Sequence, residues 1–309
     1  PQRLNRSAGD RRENSTGALT GAEERECNMA VSVALLGAGG KMGFRVTRKL
    51  VDAGYDVRAV EIGDAGRQRL AEAGIRAVSM EEGVPGAKVI VMALPDNIIG
   101  KVAREISPMV ASGSMLLILD AAAPYAGDLP SDRPDLTYFV GHPCHPPLFN
   151  DETEWDARRD YHGGIARQSI VCALMQGPEE HYALGEEICR AMWSPIIDCH
   201  RVTVEQLAIL EPGLSEMVAM PFVDTMVEAV EECEKKYGIP RKAALDFLIG
   251  HLNVEIAMWF GYSPKVPSDA ALRLMRFAKS VVVREDWREA LSPAKVKEAS
   301  ELIVYGKGS

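Results

Sequence analysis

The sequence predicts an α/β chain in two domains: a doubly wound, mainly parallel sheet, then an all-helical C-terminal domain. Three observations carry this. Between residue 31 and about residue 197, short β-rich runs alternate with amphipathic helical stretches, the pattern of strand–helix–strand units. From Thr203 onward the strand pattern stops, and apolar residues recur three and four positions apart. Finally, 309 residues exceed the size at which a single core keeps growing, so two cores are expected.

Residues 1–28 are rich in Arg, Glu, Ser, Gly and Asn and nearly free of apolar side chains, so they are expected to be a disordered extension. Their arginines resemble those of a transit peptide, but Asp10, Glu13, Glu23, Glu24 and Glu26 are too many acids for one. Met29, just before the first strand, is the expected natural start. The sheet domain then spans 29–202, with strands expected at 31–36 (VSVALL), 56–60 (DVRAV), 88–94 (KVIVMAL), 115–119 (MLLIL), 137–140 (TYFV) and 169–174 (SIVCAL). The first, third and fourth are continuous apolar runs, which suits strands covered by helices on both faces. Thr203 and Gln206 form a capping-box pattern that opens the helical domain, expected over 203–309 with no low-complexity linker before it.

Composition narrows the function. A hydrophobic content of 47% is that of a globular chain, and a formal net charge of -9 disfavours a nucleic-acid partner, whose phosphates call for clustered Lys and Arg. No apolar run approaches the roughly 20 residues that cross a bilayer, so no membrane association is expected. Cys27, Cys144, Cys172, Cys189, Cys199 and Cys233 form no CxxC pair, which fits reduced thiols and a cytoplasmic protein. The expected partner is a small molecule.

The first strand runs into Gly37-Ala38-Gly39-Gly40-Lys41-Met42-Gly43, and a helical pattern follows from Gly43 to Asp52, closed by Gly54. Strand, glycine turn and helix in that order make a Rossmann-type dinucleotide site, where a pyrophosphate approaches bare amides at a helix N-terminus. The strict GxGxxG spacing fails from Gly37, because position 42 is Met; Gly40 and Gly43 fit if Ala38 takes the first place. Glu61 ends the second strand, 18 residues after Gly43, where a carboxylate accepts hydrogen bonds from ribose hydroxyls and repels a 2′-phosphate. NAD is therefore expected rather than NADP, with Arg58 and Arg67 as the nearby cations that could soften the preference. Pro95 and Asp96 follow the strand at 88–94, on the sheet edge where ligands bind, and are expected beside the nicotinamide half.

The strand at 137–140 leads into Gly141-His142-Pro143-Cys144-His145-Pro146-Pro147. Hydride transfer from an alcohol needs a group to take the hydroxyl proton, and histidine suits that work near neutral pH. His142 is the first choice for the base, with His145 beside it; Cys144 is a less suited nucleophile, since NAD chemistry on an alcohol needs none. Downstream, Glu205, Glu211 and Glu216 lie in TVEQLAILEPGLSE, where Pro212 is expected to kink or restart the helix, and Glu211 shares a face with Ser215. GHLNVEIAMWFG places His251 and Glu255 on one helix face and Asn253 on another. Such polar groups in apolar surroundings need partners, which either a buried network or a divalent ion ligated by some of His145, Glu211, His251 and Glu255 would supply.

GAGGKMG, VIVMALPDN, LILDAAAPYAG, FVGHPCHPPLFNDE, VCALMQGPEE, the TVEQLAILEPGLSE stretch and GHLNVEIA together resemble the phosphogluconate-dehydrogenase-like oxidoreductases, and within them the D-apionate oxidoisomerases. The resemblance runs from about Met29 through most of the chain. It implies NAD-dependent oxidation of a branched sugar acid with carbon-skeleton rearrangement, giving 3-oxo-isoapionate. His142-Pro143 also resembles the His-Pro segment of prephenate dehydrogenases, which supports the base role. The glycine-rich lysine motif of 3-hydroxyisobutyrate and 6-phosphogluconate dehydrogenases is absent at the domain junction, so their lysine mechanism is not expected. GAGGKMG matches the turn of dihydrodipicolinate reductases too, but no His-His pair with a nearby lysine follows. A prephenate-type or other hydroxy-acid dehydrogenase and a catalytically silent NAD-sensing dimer are the alternatives. A homodimer through the helical domain is expected, because that domain carries more apolar side chains than so small a body can hide.

Overall fold

The computed structural model describes residues 31–306. The expectations for 1–28 and for Met29 lie outside the described residues. Eight strands form one sheet: β1 (Ser32–Leu36), β2 (Asp56–Val60), β3 (Ala77–Val78), β4 (Val89–Met92), β5 (Met115–Ile118), β6 (Thr137–Pro143), β7 (Gln168–Gln176) and β8 (Ile196–Arg201). Their order is β3-β2-β1-β4-β5-β6-β7-β8. Every neighbouring pair is parallel except β6 and β7, which run antiparallel. The order reverses between β1 and β4, so the carboxyl ends of β1, β4, β5 and β6 stand side by side on one edge. This is the Rossmann-type doubly wound sheet expected from the sequence.

The apolar strand runs are double-faced, as their continuity predicts. Val33, Leu35, Val89, Val91, Met115 and Leu117 join one buried cluster, and Ala34, Leu36, Ile90, Met92, Leu116 and Ile118 join the other. Helices α1 (Lys41–Asp52) and α7 (His181–Met192) bring Val46, Leu50 and Ile188 to the first face. Between them in sequence lie α2 (Asp64–Glu72), α3 (Met80–Gly83), α4 (Asp96–Ile106), α5 (Ala122–Ala126) and α6 (Trp155–Arg158). Of these, α4 and α5 cover the second face through Ile99, Ala103, Ile106, Ala122 and Ala123.

The contact pattern divides the described chain after Leu214, not at 202. Residues 31–214 and 291–306 form one compact unit, and 215–290 form another. The reason is apolar packing beyond the last strand. Helix α8 (Val204–Ala208), capped by the expected Thr203–Gln206 box, buries Leu207 and Ala208 with Ala121, Val140, Val171 and Ala173. After the second unit, the final helix returns Val296 to that cluster and Val304 to the second sheet face. Residues 209–219 wind as a π-helix with Pro212 inside. Pro212 brings no N–H to the ladder, and the expected kink is met instead by a wider turn.

The second unit holds three helices, α9 (Met220–Tyr237), α10 (Arg241–Trp259) and α11 (Asp269–Val282). Among its described residues only Val230 is buried. The final helix of the first unit is α12 (Pro293–Tyr305).

Candidate active site

The glycine turn is built by sterics at three positions. Gly37 has φ of 74°, and a Cβ there would stand 2.4 Å from the Ala93 carbonyl oxygen. A Cβ on Gly39 would meet the Gly66 backbone at 2.4 Å, and one on Gly43 would meet the Gly37 oxygen at 2.0 Å, where α1 packs down on β1. The spacing that matters is therefore Gly37-x-Gly39-x-x-x-Gly43, one residue longer than the strict fingerprint. Gly40 is the N-cap of α1 with no side-chain cap bond, and Lys41 and Met42 open the first turn, where uncapped amides suit a pyrophosphate.

Glu61 stands where the sequence placed it, just beyond β2, and its carboxylate is engaged. The Gly39 amide donates to Oε2 and the Gly63 amide to Oε1, each at 2.8 Å. Glu61 thereby ties the glycine turn to the end of β2, while Arg69 donates to the Gly39 carbonyl. The two cations weighed against it are directed elsewhere: Arg58 donates to the carbonyls of Gly83 and Pro85, and Arg67 to the Glu61 main chain. Pro95 is the N-cap of α4 and Asp96 its first residue, directly beyond β4 on the same sheet edge.

His142 lies near the end of β6, beside the loop that leaves β5. Its Nδ1 is 2.8 Å from the Leu119 carbonyl oxygen, which can only accept, so Nδ1 carries a hydrogen and Nε2 faces away from the main chain. Asp120 Oδ2 lies 3.7 Å from Nδ1, and Glu211 Oε2 lies 3.4 Å from Nε2. The second oxygen of Asp120 accepts from the Ala122 amide at 2.7 Å, which fixes the carboxylate at the start of α5. One donor atom from each of Asp120, His142 and Glu211 falls within 4.8 Å of the others, so among the described residues these three could hold a divalent ion. The set expected from sequence is drawn from His145, Glu211, His251 and Glu255; of these only Glu211 belongs to this group, and Asp120 and His142 complete it.

His145 follows in a strained backbone, with φ of 61°. Its ring meets His142 edge-on at 6.3 Å between centroids, and Nδ1 faces the His162 carbonyl at 3.4 Å. Desolvation by the surrounding loop pulls its pKa below the ordinary histidine value, against the raising effect of the His162 carbonyl. Arg45 of α1 donates to the same His162 carbonyl at 2.8 Å and to that of Gly163 at 3.1 Å. Asp160 closes the turn by accepting from the amides of Ile165 and Ala166. The loop after His142 is thus roped to the helix that begins at the glycine turn. Desolvation also pushes the Cys144 thiol up, with Cys199 and Glu211 adding to the rise, which disfavours the thiolate a nucleophile requires.

His251 and Glu255 fall in α10, within the second unit. His251 stacks on Phe247 at 4.1 Å and its Nδ1 meets the Phe247 carbonyl at 2.8 Å. Sequence reasoning missed Asp120, Arg45 and His162. An acid directly after an apolar strand run was the available signal for Asp120; nothing local marks the other two.

Comparison with known proteins bears on this arrangement. A model of coenzyme F420-dependent NADP oxidoreductases matches residues 32–124, and a model of the C-terminal domain of decarboxylating phosphogluconate dehydrogenase matches residues 150–304. D-apionate oxidoisomerase of Rhizobium rhizogenes is 48% identical over 274 residues, covering 88% of this chain and 99% of the relative. A crystal structure from Jannaschia sp. CCS1, which carries only a provisional oxidoreductase name, is 68% identical with a TM-score of 0.85, covering 89% of this chain and 98% of that one. A semialdehyde dehydrogenase NAD-binding protein of Cupriavidus necator, solved in complex with calcium and NAD, is 46% identical with a TM-score of 0.87, covering 89% of this chain and 100% of that one. The chain belongs to the family of the D-apionate oxidoisomerases, and its C-terminal half to that of the phosphogluconate dehydrogenases.

Proposed function

We propose that this protein is an NAD-dependent oxidoisomerase of a branched, hydroxylated sugar acid, converting D-apionate to 3-oxo-isoapionate. The observation that supports this most is the Asp120–His142–Glu211 group, set on the sheet edge that also carries the glycine turn. NAD would lie with its pyrophosphate over residues 37–43, its adenosine ribose at Glu61, and its nicotinamide half past Pro95 and Asp96. When bound it supplies the hydride acceptor. Nε2 of His142 takes the hydroxyl proton as hydride leaves, and Asp120 on the Nδ1 side stabilises the imidazolium that forms. His145, held by the loop, positions the substrate.

The test is NADH absorbance during incubation with D-apionate and a panel of other sugar acids. His142→Asn should keep NAD binding and lower kcat by about 100-fold or more, the usual worth of a general base. His145→Ala should mainly raise KM. If His142→Asn keeps a near-normal kcat in a folded, NAD-binding protein, the base assignment is refuted, and Glu211 and His251 become the candidates. NAD binding without turnover of any acid would favour the silent sensor.

The proposal includes a homodimer made through residues 215–290. Phe247 and Phe277 are 70% and 67% exposed, and α10 has no buried residue although apolar side chains lie all round it. A helix of that kind needs cover on every side, and a second copy of the same surface supplies it symmetrically. Among the described residues no helix is long and apolar enough to cross a membrane, and Cys144, Cys172, Cys189, Cys199 and Cys233 are free thiols, which supports the cytoplasm as location.

A further inference from the structure

Arg45 is a half-buried cation that spends its charge on main chain. Among the described residues its guanidinium has no carboxylate partner. Nη1 donates to the carbonyls of His162 and Gly163, and Nη2 to Met42 Sδ at 3.2 Å. A guanidinium directed at two successive carbonyls fixes the path of that chain through charge-assisted hydrogen bonds. Its own end is rigid: around Arg45, α1 buries Val46, Thr47 and Leu50, and the Thr47 hydroxyl donates to the Ala38 carbonyl at 3.3 Å. The segment it holds has no such packing, since Cys144, His145, Tyr161 and His162 are all exposed.

The turn at 160–166 is shaped to offer those carbonyls. Gly163 and Gly164 have φ of 83° and 128°, which most side chains avoid, and Asp160 accepts from the amides of His162, Ile165 and Ala166. With these amides gathered on Asp160, the His162 carbonyl meets both Arg45 and Nδ1 of His145. One oxygen thus stands between guanidinium and imidazole. The His145 ring lies edge-on to those of His142 and His162, at 6.3 and 6.4 Å, and its φ of 61° places it outside any regular element. What orients this ring is the carbonyl that Arg45 holds.

Resting on the reading of His145 as the residue that positions the substrate, we infer that Arg45 is a positioning residue for the sugar acid: through the His162 carbonyl it sets where the His145 imidazole stands beside His142. Arg45 acts on the loop and leaves hydride and proton transfer to other groups. Holding the loop strengthens sugar-acid binding equally in the ground and transition states, so its loss falls on KM and spares kcat.

The experiment is a double-mutant cycle in the full chain, reading KM for D-apionate and kcat at saturating NAD, with the Kd for NAD and the melting temperature alongside. Arg45→Ala should raise KM by about 10-fold or more, the scale of lost charge-assisted hydrogen bonds, while kcat and the Kd for NAD stay within about 3-fold of the parent. Adding Arg45→Ala to His145→Ala should raise KM no further, because two steps of one path do not add. Arg45→Lys, which keeps a cationic donor, should recover part of the loss, and it carries the same comparison if Arg45→Ala does not fold. An unchanged KM in Arg45→Ala would overturn this inference alone. So would effects on KM that multiply in the double variant, since Arg45 would then act on the acid by itself. A fall in kcat and NAD affinity alongside the rise in KM would also overturn it, being the mark of a loosened fold. If His145→Ala keeps the parent's KM, the inference falls together with the reading of His145.

Discussion

The strand VIVM at Val89–Met92 and the helix segment HLNVEIAMW within α10 are both strongly apolar, yet every residue of the first is buried and none of the second is. The strand gets its cover from its own chain: β1 and β5 flank it, and buried clusters lie on both faces. The helix shows comparable apolar demand and only partial cover from its own chain: it packs on α9, and Leu248, Leu252 and Ile256 are half-buried. Apolar patterning states how much surface must be hidden. It does not state which molecule hides it.

The sharpest way to break this comparison is a cavity in each unit. Leu117, fully buried in β5, should lose about 2–5 kcal/mol of stability on Leu117→Ala, by an amount independent of protein concentration. If Leu117→Ala instead left the urea midpoint within error of the parent, the first unit would not be self-sufficient. In the second unit, Phe247→Glu with Phe277→Glu should convert dimer to monomer by light scattering, and the apparent melting temperature of the parent, not of the double variant, should rise with concentration. A parent that is monomeric and active at micromolar concentration would refute the dimer.

Two smaller effects probe single contacts of the first unit. Glu61→Ser should narrow the NAD over NADP preference in kcat/KM by about 10- to 100-fold, the scale of one charged contact. An NADP preference in the parent would remove Glu61 from the cofactor assignment. The smallest effect concerns acid. The Arg133 guanidinium, paired side-on with Asp135, holds that carboxyl at about 2, below its ordinary 3.8. A depressed folded pKa means stability fully present above about 4 and lost as the pH falls toward 2. Asp135→Asn should therefore flatten the acid limb of the stability profile below pH 4, through a small loss of stability at neutral pH and nearly none at pH 2.

What could be read from the residues follows what is local. The six strands expected were those with long apolar or β-branched runs, and each forms. β3 escaped because it is only Ala77–Val78, and β8 because it is an edge strand whose sequence, IIDCHR, has no fully buried position. The split after Leu214 could not be seen, since whether a helix packs back onto the sheet depends on distant partners: Val296 and Ala121 meet across the whole second unit in sequence. The site shows the same division. His142 and Glu61 announced themselves by residue type at a strand end, whereas Arg45 and His162 matter only through a loop that brings them 117 positions together. Asp120 was visible as an acid after an apolar run but hidden in an alanine-rich stretch.

The hydrogen on His142 Nδ1 is held by a main-chain oxygen, that of Leu119. Any amino acid at position 119 supplies the same carbonyl, so no substitution there deletes the group that chooses which nitrogen faces the substrate. Asp120 and Glu211, on either side of the ring, are side chains that a single nucleotide change can replace. Diverging copies of this protein are thus free to revise the acids around the imidazole, and with them the reaction it serves, while inheriting an unaltered basic nitrogen.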